Sequence, residues 1–454
     1  MLRTHTCGEL NKSHADKKVT LAGWADTIRV HGKVGFIIIR DRYGKTQLFL
    51  GKQFIEQITN LKKESVIQVE GKVNLRPENQ IRKEMSTGEI EVGVSKLEVL
   101  NPAEPLPMEL DESITSTDET RLKYRFIDLR RKRMQDNIIT RHKVIKAIRD
   151  FLDNEEFLEI ETPFLAKSTP EGARDYLVPS RINKGKFFAL PQSPQLLKQL
   201  LMISGFDRYF QIVRCFRDED LRADRQPEFT QLDMEMTFIE EEDLYGVIEK
   251  LMKYVWKEVL SVNIKTPFPR LSYKEAMKKY KTDRPHLDQK GVKHNFVWVV
   301  DFPMFEYSKE EKRLVAMHHP FTQPKPEDVK LIEKTPEKVM SRGYDLVLNG
   351  EEIAGGSIRN HNQDIQKKIF KALKITDKEA DEKFGFLLKA LSYGAPPHGG
   401  IAFGIDRMVA LIVGEGSIRD VIAFPKNKDA RDLMLDSPSE VNSKQLDELG
   451  IKKK

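Results

Sequence analysis

The sequence predicts an α+β protein in two parts, a small N-terminal β-barrel followed by a larger domain of mixed strands and helices. Three observations carry this. Five strand-like runs occupy residues 19–24, 36–40, 46–50, 66–73 and 90–100. A proline-spaced, acidic stretch follows, Pro102-Ala103-Glu104-Pro105-Leu106-Pro107 running into Asp111, Glu112, Asp118 and Glu119. Beyond it, strands and helices alternate irregularly with no repeat of fixed period.

In the first part, apolar positions Phe54, Ile55, Ile58 and Leu61 have helical spacing within 52–63. Five strands with a helix between the third and fourth is the order of an OB-fold barrel, a common binder of oligonucleotides. The expected boundaries are 1–103 for this domain, 104–120 for a hinge and 121–454 for the second domain. In the latter, Ile138, Ile145, Ile148 and Leu152 mark one face of a helix running to about Asn154.

Composition narrows the class. The 454 residues include 76 Lys and Arg against 70 Asp and Glu, a net charge of +6, so a polyanionic partner is allowed without any long basic tail. Cys7 and Cys215 are too few for a disulfide framework or a cysteine zinc site, and free thiols suit the cytoplasm. The N-terminal residues lack the apolar core of a signal peptide, and no apolar run is long enough to span a membrane.

Three segments carry chemistry. Residues 209–217 and 229–238 read as strands joined by a charged loop holding Arg217, Asp218, Glu219, Arg222, Arg225 and Gln226. On the second strand Gln231, Asp233 and Glu235 alternate with Leu232, Met234, Met236 and Phe238, so one face is polar and the other packs.

The Asn349-Gly350 pair predicts a two-residue type I′ hairpin. That register sets Leu348 opposite Glu351, Val347 opposite Glu352 and Asp345 opposite Ala354. Asp345 and Glu352 then share a face as diagonal neighbours roughly 7–8 Å apart, able to share Mg²⁺. A common face for Glu352 and Arg359 requires an irregularity, expected at Gly355-Gly356. Third, Gly404-Ile405-Asp406-Arg407 opens a helix, and an arginine in a first turn gains nothing from the helix dipole, which points to a phosphate. No Gly-x-x-x-x-Gly-Lys-Ser/Thr loop, Gly-x-Gly-x-x-Gly or His-Glu-x-x-His occurs, so any nucleotide is held by arginines and carboxylates.

Together these segments resemble the signature motifs of class II aminoacyl-tRNA synthetases of the bacterial aspartyl type, which implies an antiparallel-sheet catalytic domain behind the barrel. The first motif is Phe-Leu-Glu-Ile-Glu-Thr-Pro at 157–163. Longer strings agree: Ser168-Thr169-Pro170-Glu171-Gly172-Ala173-Arg174-Asp175-Tyr176, Gln192-Ser193-Pro194-Gln195-Leu196-Leu197-Lys198 and Ala316-Met317-His318-His319-Pro320-Phe321-Thr322.

The resemblance implies an aspartate–tRNA ligase that activates L-aspartate with ATP and transfers it to the 3′ end of tRNA(Asp). Lys198 and Arg359 would hold the aspartate side chain, with Glu171, Gln195 and Asp233 around its ammonium group and His318 completing the pocket. Arg217 would bridge the α-phosphate and the reacting carboxylate. Asp218, Glu219, Gln226, Glu352 and the Gly404, Ile405, Asp406, Arg407 run would serve ATP, Arg407 at the γ-phosphate. Asp345 and Glu352 would hold Mg²⁺. The first motif implies a homodimer, and in the barrel Phe36 would stack on an anticodon base while Arg29 and Gln47 bond base edges.

Two departures qualify this. The insertion of more than a hundred residues usual in bacterial members is missing near 282–294. In addition, His31 matches members that charge both tRNA(Asp) and tRNA(Asn), whereas Lys83 matches strict ones; strict specificity is the expectation and dual charging the alternative. An ATP-dependent aspartate amide synthetase on the same catalytic fold is the more distant alternative, disfavoured by the OB-like domain.

Overall fold

The computed structural model describes residues 1–169, 173–288, 291–309 and 311–452. Strands β1 (Lys18–His31), β2 (Val34–Arg40), β3 (Lys45–Leu50), β4 (Val66–Leu75) and β5 (Ile90–Asn101) close into a barrel in the order β1-β2-β3-β5-β4. Inward side chains alternate with half-buried ones, as Val19, Leu21 and Ala25 do on β1 and Ile37 and Ile39 on β2.

β1 runs well past its expected end at Trp24. One long strand serves two neighbours, pairing with β4 from Lys18 to Trp24 and with β2 from Trp24 to His31, with an irregularity between Ala25 and Thr27. The helix expected over 52–63 is shorter, a 3₁₀ turn (Lys52–Phe54) leading into Ile55–Thr59, with Ile58 in the barrel core.

The chain divides into two compact units, Met1–Thr120 and Arg121–Lys454, so the proline-spaced stretch groups with the barrel. The second unit contains β6 (Leu158–Glu159), β7 (Leu177–Pro179), β8 (Phe187–Ala189), β9 (Arg208–Phe216), β10 (Glu228–Thr237), β11 (Arg270–Ser272), β12 (Phe296–Val300), β13 (Phe305–Ser308), β14 (Arg313–Ala316), β15 (Gly343–Leu348), β16 (Glu351–Ile358) and β17 (His398–Gly404). Eight of these form one sheet in the order β11-β12-β15-β16-β17-β10-β9-β6. It is antiparallel except at its two edges, where β11 runs parallel to β12 and β6 parallel to β9. β7 with β8 and β13 with β14 form separate hairpins.

One face of the sheet is apolar because each central strand alternates. Leu232, Met234 and Met236 of β10 pack with Ile401 and Phe403 of β17 against the helices Lys132–Asn154, Glu241–Leu260 and Ile405–Val413. In the first of these helices Ile148 and Leu152 are fully buried, whereas Ile138 and Ile145 are half-buried. Phe238 departs from the expected packing face: it follows the end of β10 with φ of 56° and stays exposed.

The hairpin of β15 and β16 turns through Asn349 and Gly350, with φ of 52° and 86°, the signs a type I′ turn demands. Leu348 faces Glu351 and Val347 faces Glu352 as expected, but the register then slips, so that Leu346 faces Ala354 and Asp345 faces Gly355. The irregularity therefore falls at Ile353, ahead of the glycine pair. The consecutive residues Val347 and Leu346 face Glu352 and Ala354, and the unpaired residue between those partners is the buried Ile353.

Candidate active site

The polar face of the central strands forms the floor of a cavity of about 620 Å³. Its lining brings together Gln195, Lys198, Arg217, Glu219, Gln226 and Asp233 with His318, Asp345, Glu352, Arg359, Gly404, Asp406 and Arg407. These residues come from strands distant in sequence, and β10, β16 and β17 set them side by side through the pairings Asp233↔Ala402 and Gly355↔Ala402.

One end of the cavity is a buried four-charge group. Gln195 and Lys198 lie one turn apart on the helix Gln195–Ile203. Lys198 Nζ stands 2.7 Å from Asp233 Oδ1 and 3.1 Å from Glu235 Oε2 and donates to Met234 O at 3.3 Å. Arg359 grips Glu235 with both prongs, Nε to Oε1 at 2.9 Å and Nη2 to Oε2 at 3.2 Å.

Lys198 and Asp233 are each 1% exposed and Glu235 not at all, so each charge depends on its partners for the solvation that water no longer supplies. Burial alone would raise the Glu235 carboxyl, but Arg359 and Lys198 outweigh it and hold the group at about 2. Asp233 is pushed up by burial, with Lys198 offsetting only part of that. Gly400 makes the arrangement possible, since a Cβ there would lie 1.9 Å from Glu235 Oε2.

His319 completes the setting of Arg359. Burial and the neighbouring guanidinium lower its pKa well below the usual range, so the neutral ring accepts from Arg359 Nη1 at 2.7 Å. Ser357 Oγ accepts from the same nitrogen at 2.7 Å.

The middle of the cavity holds the acid pair. The slip at Ile353 places both carboxylates over Gly355, where a Cβ would meet Asp345 Oδ1 at 2.8 Å and Glu352 Oε1 at 3.5 Å. Asp345 and burial push Glu352 up to about 7. Burial disfavours a charged His318, yet Asp345, whose Oδ1 lies 3.2 Å from His318 Nε2, outweighs it and raises the ring's pKa. Two crowded carboxylates, one forced toward its neutral form, are a donor set that fits a hard divalent cation.

A cation held by this pair would displace the proton that Glu352, with its raised pKa, retains below neutrality. A Mg²⁺ titration by calorimetry at pH 6 is expected to release protons, seen as heats that change with buffer ionisation enthalpy, and the effect should vanish by about pH 8. Equal heats in all buffers at pH 6 would contradict this.

Arg217, also in the lining, lies over the ring of Phe229, 5.0 Å from its centroid. Arg407 Nη1 donates to Glu352 O at 2.7 Å. Gln226 spends its amide on the backbone of Lys426, accepting from its N–H at 2.7 Å and donating to its carbonyl at 3.1 Å. Among the described residues, Gln195 Nε2, His318 Nδ1 and Arg407 Nε are buried cavity-side polar atoms without a hydrogen-bond partner. An unmet buried polar atom is costly, and three of them around one cavity indicate a polar ligand.

Not every expected residue faces the cavity. Asp218 turns to Arg174, 3.4 Å away. Ile405 is wholly in the core. The carboxylate of Asp406 is committed to Arg141 and to Thr230 N–H, which ties the helix Lys132–Asn154 to the strand below the site. Glu171 lies outside the described residues. Glu235, His319 and Ser357 carry no role in the sequence reading, although the alternation along β10 is enough to put Glu235 on the polar face.

In the barrel Ile37 points into the core and Phe36 outward, its ring 5.8 Å from Phe49 and 6.4 Å from His31. Arg29 is the cross-strand partner of Phe36. Gln47 is buried and donates to Glu91 Oε2 at 2.9 Å. Lys83 lies in the segment between β4 and β5.

A closed barrel together with a charge-lined cavity on an antiparallel sheet defines the class, a two-part enzyme with a nucleic-acid-binding module. Residues 117–428 match the family of class II tRNA synthetases (D, K and N), and residues 19–100 match the OB-fold nucleic acid binding domain. An aspartate–tRNA(Asp/Asn) ligase of Dictyoglomus turgidum is 44% identical over 100% of this chain and 98% of its own, and one of Thermotoga neapolitana is 45% identical over 100% and 99%. The chain therefore belongs to the class II tRNA synthetases, within the bacterial-type aspartate–tRNA ligase group.

The Dictyoglomus match runs over 581 positions against this chain's 454 residues, so more than a hundred positions have no counterpart here. Among solved structures, the asparaginyl-tRNA synthetase of Pyrococcus horikoshii complexed with asparaginyl-adenylate superposes with a TM-score of 0.77 at 24% identity, covering 94% of this chain and 98% of its own. An aspartyl-tRNA synthetase of Entamoeba histolytica gives 0.75 at 22%, covering 92% and 90%. These two show the fold. No helix among the described residues is long and apolar enough to cross a membrane.

Proposed function

We propose that the chain is an aspartate–tRNA ligase whose cavity joins L-aspartate to ATP and passes the aspartyl group to tRNA. The observation that carries this is the pair of buried cations lining one end, Lys198 and Arg359, backed by Glu235, which does not itself line the cavity. Two cations in the lining suit an anionic side chain, whereas a lysine substrate would meet repulsion. Gln195 and Asp233 then flank the substrate's ammonium group, and His318 lines the same cavity.

The attacking group is the α-carboxylate, ionised at neutral pH, so the first step needs no protein base. Its oxygen attacks the α-phosphorus, the bond from that phosphorus to the bridging oxygen breaks, and pyrophosphate leaves. Arg217 aligns the carboxylate with the α-phosphate, and Arg407 takes charge at the terminal phosphate. Asp345 and Glu352 would hold Mg²⁺, which supplies further positive charge to phosphate oxygens when bound. In the second step a terminal ribose hydroxyl attacks the mixed anhydride carbonyl and AMP leaves, the adenylate's own phosphate accepting the hydroxyl proton.

Other features support the wider reading. Phe36, Arg29 and His31 form one outward cluster on the barrel, suited to stacking and base-edge contacts with an anticodon. The exposed apolar side chains Leu158, within the first motif, and Phe164, Leu165, Leu177, Phe187 and Phe188, after it, fit a homodimer interface. Cys7 and Cys215 are buried and neither forms a disulfide, which fits a reducing cytoplasm.

The test is ATP–pyrophosphate exchange with aspartate, asparagine and lysine in parallel. Aspartate alone should stimulate it; stimulation by asparagine and not aspartate would sink the reading. A second reading, charging of both tRNA(Asp) and tRNA(Asn), is favoured by the relatives' names and by His31 lying beside Phe36, against the lean that Lys83 suggests. Aminoacylation of the two purified tRNAs side by side decides between them.

A further inference from the structure

Arg407 Nη2 pairs with Asp224 Oδ2 at 3.3 Å, and Asp224 is its one carboxylate partner among the described residues. The pairing is built into the backbone. Asp224 lies on the loop between β9 and β10, and the carbonyl just before it, Ala223 O, accepts from Ser417 Oγ at 3.1 Å and from Ile418 N at 3.2 Å. The segment that follows the helix of Arg407 thus holds the loop where the carboxylate reaches the guanidinium. The same loop carries a second pair of this kind, with Arg225 Nη1 3.2 Å from Glu219 Oε2.

A carboxylate and a terminal phosphate present alike anionic oxygens to a guanidinium. We infer that Asp224 is an internal competitor of the nucleotide's terminal phosphate at Arg407. It positions the guanidinium before the nucleotide arrives and gives way to the phosphate, so the affinity for a triphosphate is lower than Arg407 alone would provide. This rests on the reading of Arg407 as the terminal phosphate's partner. Because Asp224 and Arg407 are partly exposed, the competition is worth a factor of about two to five.

The experiment is calorimetry on the full chain with Mg²⁺, using ATP, inorganic pyrophosphate and AMP as probes. Asp224→Asn should bind ATP and pyrophosphate about two- to fivefold more tightly and AMP as the unaltered chain does, since AMP has no phosphate that reaches Arg407. Ser417→Ala, which removes one of the two anchors of Ala223, should shift ATP affinity in the same direction by less. Unchanged or weaker ATP binding by Asp224→Asn overturns the inference, as does equal tightening for AMP, which would indicate a general change in the cavity. Arg407→Ala separates the two ideas. Undiminished ATP binding by that variant removes the phosphate role of Arg407 and the competition with it, whereas weakened binding there with no gain in Asp224→Asn removes the competition alone.

Discussion

Arg217→Ala is expected to lower aspartyl-adenylate formation by about a thousandfold, the loss typical when a preorganised donor at the reacting centre is removed. Arg217 is half-buried and leans on Phe229 through a cation–π contact, and among the described residues no buried ion pair depends on it. Thermal stability should therefore change by no more than about 0.5 kcal/mol. Pyrophosphate exchange and a melting curve on one preparation check both halves. Unchanged exchange would remove Arg217 from the mechanism, and a collapsed melting curve would make its role structural.

Glu235→Ala should have the largest effect on stability, about 3–5 kcal/mol, because it leaves Lys198 and Arg359 in a dry interior with Asp233 as the one carboxylate in contact with Lys198 among the described residues. Aspartate binding should weaken as well, since Arg359 loses both contacts that aim its fork. The pH dependence has a definite sign. The folded-state pKa of Glu235 is depressed from 4.5 to about 2, so its contribution is complete above the ordinary carboxylate range and fades as the pH falls through 2. Urea unfolding of both proteins at pH 7 measures the gap. A difference under about 1 kcal/mol would mean that the buried charges rearrange freely.

The local patterns are highly legible. Alternation along 231–236 is enough to place Asp233 and Glu235 on one face, and the folded sheet keeps them there. The Asn349-Gly350 turn is legible because only residues that tolerate positive φ at both positions close a two-residue hairpin. The position of the bulge is less so. Gly355-Gly356 invites it, but the glycines are needed for room under Asp345, Glu352 and Tyr344, and the extra residue falls at Ile353, whose side chain the core accommodates. Phe36 is ambiguous for a similar reason: Ile37 is equally apolar, and the closure of the barrel decides which of the two points inward.

Residue order alone is sufficient for the two-part architecture, the family and much of the cavity lining, because these are written in local periodicity, turn chemistry and long motif strings. How those residues are paired emerges only in three dimensions. Glu235 as the anchor of both cations, His319 as the neutral acceptor behind Arg359, and Asp224 against Arg407 all join positions far apart in the chain. Spacing along a strand or helix fixes which face a side chain occupies, whereas the cost of burying a charge is settled only when strands distant in sequence are laid side by side.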